Sequence, residues 1–385
     1  MRLRNALSYT FGLLVLLFAS ASHAAPLIPN APDLDATSYI LVDFNTGAIL
    51  AEKNSAMQAE PASITKLMTV YVAFQELRNG TLKLDDKVTV SKKAWRTEGS
   101  RMFIEVGKQV KVEDLMQGII VQSGNDASIA LAEHIAGTEE TFAQLMNQHA
   151  QTLGMTQTNF LNATGLPDDG HLTTAADIAT LASAIIREFP EYYNWYSQLE
   201  FTYAGIRQFN RNKLLRRDRS VDGLKTGHTE SAGYCLAASA KRDNMRLVSV
   251  VLGTDSDNAR SSATQALLNY GFRFFETHEL FTQKQVIESP RIWGGAKQTL
   301  AVGTGDALSA TIPRGQSKSL TVTTLYNEQL QAPIEAGTAI GEVQVTLQDK
   351  LVSRVPLLAL ETVPEGTLFQ RLKDKVLLMF EGGDE

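Results

Sequence analysis

Between Ser63 and Leu77 the chain reads as a helix that is apolar almost all round. Ile64, Leu67, Met68, Val70, Tyr71, Val72 and Phe74 leave it no continuous polar stripe. Such a helix has to be buried, so the rest of the fold must wrap around it. Pro61 precedes it and Asn79-Gly80 closes it. Cys235 is the only cysteine, so no intramolecular disulfide is available and stability must come from burial. Two polar residues, Ser63 and Lys66, stand three apart at the start of this buried element, which puts them on one face.

That pair opens a series of three short motifs: Ser63-Ile-Thr-Lys66, Ser123-Gly-Asn125 and Lys225-Thr-Gly227. Ser-x-x-Lys, Ser-Asp-Asn and Lys-Thr-Gly together mark acyl-transfer sites that use a serine nucleophile without a histidine base. Here Gly124 stands where that pattern has Asp. A serine hydroxyl needs a base to take its proton. Lysine serves only when neutral, a state favoured by burial and by a neighbouring cation. Ser123-Gly124-Asn125 falls between two helical patterns, in a turn held by rigid elements. Ser123 is placed to relay protons, and Asn125 to hydrogen-bond both the lysine and a substrate amide. Lys225, Thr226 and Gly227 lie in a strand that also holds Gly223, and glycine there admits the close approach of an extended peptide. Lys225 and Thr226 are suited to a terminal carboxylate, and the N–H groups of Ser63 and His228 to an oxyanion. Taken singly, the motifs also read as a helix cap with a solvated lysine, an ordinary turn and a surface hairpin.

Around the motifs, Tyr39 to Phe44, a turn at Asn45-Thr-Gly47 and Ala48 to Leu50 read as a hairpin. Helical spacing covers Val112 to Val121, Asp126 to Ala136, Thr141 to Leu153 and Thr174 to Arg187, the last with Thr174 and Asp177 as an N-terminal cap signature. Strands follow at Gly223 to Thr229, Tyr234 to Ala240 and Arg246 to Leu252, the last two made antiparallel neighbours by the Arg242-Asp-Asn244 link, and then a helix from Asn258 to Phe275. Beyond His278 short β-prone runs appear at Gln298 to Val302, Ser319 to Leu325, Gly341 to Gln348 and Leu351 to Leu360. They indicate a small all-β domain over 281–363 after a catalytic domain over 25–280.

The first 24 residues, with Arg2 and Arg4, the apolar run Phe11 to Ala19 and Ser22-His-Ala24, have the grammar of a cleaved export signal. Cleavage takes the net charge from −6 to −8. An acidic surface without a basic stripe excludes nucleic-acid binding. Among the histidines no two have zinc-ligand spacing, so no metal and no cofactor is expected. A histidine such as His171, in a loop without a recognised partner, is expected to be solvated. In the last segment, 364–385, Leu368, Phe369, Leu372, Val376, Met379 and Phe380 fall on one helix side and Gln370, Arg371, Asp374 and Lys375 on the other. A helix that short lies in a membrane surface rather than crossing it, although Glu381 to Glu385 makes an acidic ending.

The chain resembles low-molecular-mass penicillin-binding proteins of the serine D-Ala-D-Ala carboxypeptidase type. The resemblance runs through Pro61-Ala-Ser-Ile-Thr-Lys-Leu-Met68, Gln122-Ser-Gly-Asn-Asp126, Asn210-Arg-Asn212, Asp222-Gly-Leu-Lys-Thr-Gly-His228 and Gly271-Phe-Arg-Phe-Phe275. It implies an α+β fold, an antiparallel sheet with packed helices followed by a small β-domain. It implies Ser63 as acyl-enzyme nucleophile, Lys66 as proton acceptor, Ser123 as relay and Lys225 as carboxylate contact, with Arg211 and His228 near that carboxylate. The implied substrate is the peptidoglycan stem pentapeptide, the implied covalent inhibitors are β-lactam antibiotics, and the implied location is the periplasmic face of the inner membrane, held by the C-terminal helix. The stretch from Lys92 to Phe103 is shorter than the family's active-site loop. A β-lactamase or a D,D-endopeptidase on the same fold is the near alternative. Class A β-lactamases deacylate through a glutamate, and Gly154 to Asp168 contains none. A cell-wall-binding scaffold without catalysis is the alternative of a different class.

Overall fold

The computed structural model describes residues 28–381. The export signal read over 1–24 and the end of the acidic tail lie outside the described residues.

The centre is a five-stranded antiparallel sheet of β1 (Ser38–Asp43), β2 (Ile49–Lys53), β3 (Val221–Thr229), β4 (Gly233–Arg242) and β5 (Met245–Thr254), in the order β2-β1-β5-β4-β3. Alternation along a strand sends neighbours to opposite faces. On β5, Val248, Val250 and Leu252 join one hydrophobic core while Leu247 and Val251 join another. Both faces are therefore covered. One carries the helical layer with the buried helix α1 (Lys66–Asn79), and the other carries the long helix Asp257–Phe274. Gly227 of β3 lies opposite Cys235 of β4, whose thiol is fully buried. The expected helix α1 is present, and Gly80 ends it in the left-handed conformation at φ 76°, as a helix-closing glycine does.

Several expectations shift in detail. Ser63 does not start the α-helix: Ala62–Thr65 form a 3-10 turn and the α-helix begins at Lys66. The helical pattern from Val112 ends as an α-helix at Gln117 and continues through Gly118–Gln122 as a wider π turn, which leaves Ser123 in the left-handed region at φ 66°. The Thr174 cap is present, its hydroxyl accepting from the Asp177 N–H at 3.0 Å.

The helix Asp257–Phe274 passes directly into strand Phe275–Phe281, which pairs with Leu308–Pro313. Beyond it a second five-stranded sheet includes Leu320–Tyr326, Ala339–Leu347 and Lys350–Ala359 around a core with Leu300, Val343, Val345 and Leu357. The expected strand Gln298 to Val302 is mostly irregular, and only Val302–Gly303 pair as a strand. The described residues end in the helix Leu368–Glu381, anchored where Asp374 accepts from the Gly294 N–H at 2.8 Å. Among the described residues no helix is long and apolar enough to cross a membrane.

Candidate active site

Strand β3 is an edge of the central sheet, and the 3-10 turn carrying Ser63 packs beside it. A Cβ on Gly227 would sit 3.0 Å from the Pro61 carbonyl oxygen, and one on Gly223 would meet the Tyr193 hydroxyl at 2.6 Å. The glycines of this strand thus admit the protein's own neighbouring elements, where the sequence suggested an approaching peptide. Gly165 does the same from the other side: its Cβ would overlap the Ala62 carbonyl at 1.8 Å. The serine turn is held between two glycine contacts, and Ala62 takes a positive φ of 46° to fit.

Lys66 is 1% exposed. Its Nζ donates to Ser63 Oγ at 2.9 Å, to Asn125 Oδ1 at 2.7 Å and to the Thr164 carbonyl at 2.5 Å. Three acceptors use all three of its donors when it is charged. Burial, reinforced by the Arg211 charge, pulls its pKa down to about 7, against the opposing pull of Asp126 and Glu139. The lysine is therefore poised between its two forms near neutral pH, as a general base requires.

Lys225 is buried as well, at 3% exposure, and donates to Ser123 Oγ and to the Thr226 carbonyl, both at 2.9 Å. Burial, with Lys66, Arg211 and Arg260 around it, holds its pKa well below the usual lysine value. In its charged form two of its three donors are engaged, which leaves one for a ligand. The four motif side chains thus form two serine–lysine pairs, Ser63 with Lys66 and Ser123 with Lys225. Asn125 joins the first pair, and its amide nitrogen reaches the Glu98 carbonyl at 2.7 Å. Thr226 is buried in β3. His228 is exposed near the end of β3, its ring tilted against Tyr234 with centroids 3.9 Å apart. Arg211 is exposed and donates to the Gln122 carbonyl at 3.1 Å, beside Ser123. Its neighbours Asn210 and Asn212 fix that segment, Asn212 by donating to the Gly223 carbonyl at 3.0 Å.

His171 is corrected by the structure: it is buried, not solvated. The Leu161 N–H donates to its Nδ1 at 3.0 Å, so its proton sits on Nε2 and is directed at Thr65 Oγ1, 2.8 Å away. Burial lowers its pKa to about 4, which keeps the ring neutral behind the serine turn. Three more groups escaped the sequence. Glu139 is buried, paired with Lys93 at 2.9 Å and accepting from the Ala163 N–H at 3.1 Å. Arg260 donates to the Gly227 carbonyl at 2.9 Å from beneath β3. The Thr164 carbonyl completes the Lys66 cradle. None of these has a local signature in sequence; only Asn162-Ala-Thr-Gly165, rich in turn residues, marked a tight turn. Among the described residues no cluster of His, Cys, Asp and Glu could hold a metal ion.

Two family models match. One described as D-alanyl-D-alanine carboxypeptidase covers residues 25–256, and one described as the penicillin-binding protein 5 C-terminal domain covers residues 275–365. The chain is 45% identical to D-alanyl-D-alanine carboxypeptidase DacC of Escherichia coli (strain K12), over 94% of this chain and 93% of that protein. Among solved structures, penicillin-binding protein 5 from Haemophilus influenzae aligns with a TM-score of 0.84 at 39% identity, covering 88% of this chain and 100% of that one. Penicillin-binding protein D2 from Listeria monocytogenes, in an ampicillin-bound form, aligns with a TM-score of 0.58 at 31% identity, over 63% of this chain and 100% of that one.

Proposed function

The chain belongs to the D-alanyl-D-alanine carboxypeptidase family, and we propose that it removes the terminal D-alanine of peptidoglycan stem pentapeptides through an acyl-enzyme on Ser63. The observation that carries this reading is the fully buried Lys66 ammonium 2.9 Å from Ser63 Oγ, with its proton affinity drawn down to about neutrality.

Neutral Lys66 takes the Ser63 proton as Oγ attacks the carbonyl carbon of the penultimate residue. The developing oxyanion is met by the N–H groups of Ser63 and His228. A proton passes through Ser123 to the departing nitrogen, the C–N bond breaks and D-alanine leaves. Water then hydrolyses the Ser63 ester and restores the serine. The peptide lies along the free edge of β3, as an added strand does. Lys225, through its remaining donor, and Arg211 meet the terminal carboxylate. Asn125, Thr226, Gly227 and His228 line its path. A β-lactam enters the same chemistry with its strained amide, and its ester stays on Ser63.

The enzyme is exported by its N-terminal segment and works on the periplasmic face of the inner membrane. The Leu368–Glu381 helix holds it there by an exposed apolar side including Leu368, Phe369, Leu372 and Met379. We draw the division between the catalytic region and the β-region at Phe275 rather than 281, since Phe275–Phe281 already pairs within the latter. The test is Ser63→Ala: covalent labelling by penicillin and release of D-alanine from a pentapeptide both vanish while the circular dichroism spectrum is retained. Labelling of that variant at another serine would overturn the assignment.

A further inference from the structure

The segment Glu98 to Ile104 crosses directly over the Ser123-Gly124-Asn125 turn. Gly124 makes the crossing possible, because a Cβ there would lie 2.9 Å from Asp126 Oδ1 and 3.2 Å from the Met102 nitrogen. This accounts for the glycine that departs from the Ser-Asp-Asn pattern.

Asp126 holds the segment down. Buried in the first turn of α2 (Asn125–Ala136), its Oδ1 accepts from the Met102 N–H at 3.0 Å and from Ala127 at 2.9 Å. Its Oδ2 accepts from Phe103 at 2.9 Å and Ile104 at 3.2 Å. One carboxylate thus gathers three successive N–H groups of the crossing segment and one of its own helix. The segment needs that grip. Phe103 sits at φ 68°, a region a bulky side chain rarely adopts, and its ring is 48% exposed, so burial of the ring does not fix the conformation.

The other half of the segment meets the catalytic lysine's partner. Asn125 donates through its backbone N–H to the Ser100 carbonyl at 2.7 Å and through Nδ2 to the Glu98 carbonyl at 2.7 Å, while its Oδ1 accepts from Lys66. On Gly99, at φ 82°, a Cβ would fall 2.7 Å from Asn125 Nδ2, so segment and amide are in contact. An amide has one acceptor end and one donor end. The Glu98 carbonyl therefore decides which end of Asn125 faces Lys66.

We propose that Asp126 is a positioning residue for the acylation step: by clamping the 98–104 segment it sets the Asn125 amide that orients Lys66 against Ser63. This rests on Lys66 as the proton acceptor, and it extends that reading to a residue that does not touch the substrate.

Asp126→Asn keeps the shape but turns one acceptor into a donor facing N–H groups. In full-length protein the acylation rate constant for penicillin should fall roughly 10- to 100-fold, the cost of a misplaced catalytic group. The non-covalent affinity that precedes acylation should change by less than about 3-fold, and trypsin should cut after Arg101 faster than in the native protein. At a pH well above 7, where Lys66 is neutral with or without the Asp126 charge, the same substitution in an Asn125→Ala background should cost less than about 3-fold more, because the path it acts through is already gone. Native acylation by Asp126→Asn, or an additive loss in the double variant, overturns the proposal. Should Asp126→Asn not fold, Gly99→Ala pushes on Asn125 from the segment side with Asp126 intact. It must show the same loss in rate constant alone, and native acylation there also overturns the proposal. Labelling that still depends on Ser63 in these variants keeps the functional reading intact and isolates the failure to Asp126.

Discussion

The catalytic region and the C-terminal β-region are both built on five-stranded sheets, yet they treat buried charge in opposite ways. Around the first sheet Lys66, Lys225, Asp126, Glu139, Asp177 and Arg260 are all buried, together with Ser123, Asn125 and His171. Among the described residues after Phe275 the buried polar side chains are Thr304, Thr311 and Gln316, none of them charged. Burying charge costs stability unless it is fully partnered. The catalytic region accepts that cost where chemistry needs a neutral lysine, and the β-region, with no such need, is packed as a scaffold. Substitutions should therefore separate activity from stability in opposite directions in the two halves.

The sharpest contrast is at Lys66. Lys66→Met should slow acylation by about 10²–10⁴-fold, the usual worth of a general base. It should also raise the thermal midpoint near pH 7, because the cost of burying an amine whose pKa is drawn down to about 7 outweighs the loss of its hydrogen bonds to Asn125 and the Thr164 carbonyl. A destabilised variant would break the comparison. In the native enzyme acylation should rise with pH through about 7, as Lys66 loses its proton. The stability sign follows from the same depression. Unfolded chains hold the Lys66 proton up to the ordinary lysine range and the folded protein only to about 7. Folding is thus least favoured by this group below 7 and gains as pH rises from there toward 10.5. Denaturant midpoints across that window should show the slope in native protein and lose it in Lys66→Met.

Lys225→Ala should weaken use of a peptide acid by about 1.5–3 kcal/mol, the worth of a charge-assisted hydrogen bond. The matching peptide amide should suffer less, and equal losses on both would remove Lys225 from the carboxylate site. In the β-region the effect should invert. Leu357→Ala, in the heart of that core, should cost about 2–5 kcal/mol of stability where cavities form. Penicillin acylation of the folded protein should stay within about 2-fold. The smallest effect on catalysis belongs to truncation after Pro364, which should release the protein from anionic vesicles and leave its activity on a soluble peptide unchanged. Full-length protein that fails to sediment with vesicles would remove the membrane role.

How much of this could be read beforehand follows the range of each interaction. Ser63 and Lys66 lie within one turn, and Ser123 with Asn125 and Lys225 with Gly227 are local triplets, so their chemistry was legible. The all-round apolar helix likewise announced its burial. What escaped were partners fixed by distant chain. The Thr164 carbonyl meets Lys66 across 98 positions and His171 meets Thr65 across 106. A backbone acceptor has no residue signature, and a histidine's burial depends on what closes over it. Short strand pairs such as Lys87–Thr89 with Gln109–Lys111 were equally silent, since three residues carry too little alternation to be seen. The Gln298 to Val302 run had β-prone residues, but its backbone partners change along it, from Pro290–Ile292 for Gln298 to Leu300 to Ala359–Leu360 for Ala301 and Val302, so no continuous ladder forms over most of it.

Cys235 gives the edge of the site a clock. Its thiol is fully buried on β4, opposite Gly227, and burial pushes its pKa up to about 11, so almost none is thiolate at neutral pH. A small alkylating reagent can reach it only when the packing around β4 lifts, and alkylation then proceeds only after the thiol ionises. With no other cysteine in the chain, the modification rate followed by mass would time openings around β4, the strand paired with the one that carries Lys225. An occupied site should make those openings rarer. On the proposed export, the same burial would keep a lone thiol from finding a partner in another copy.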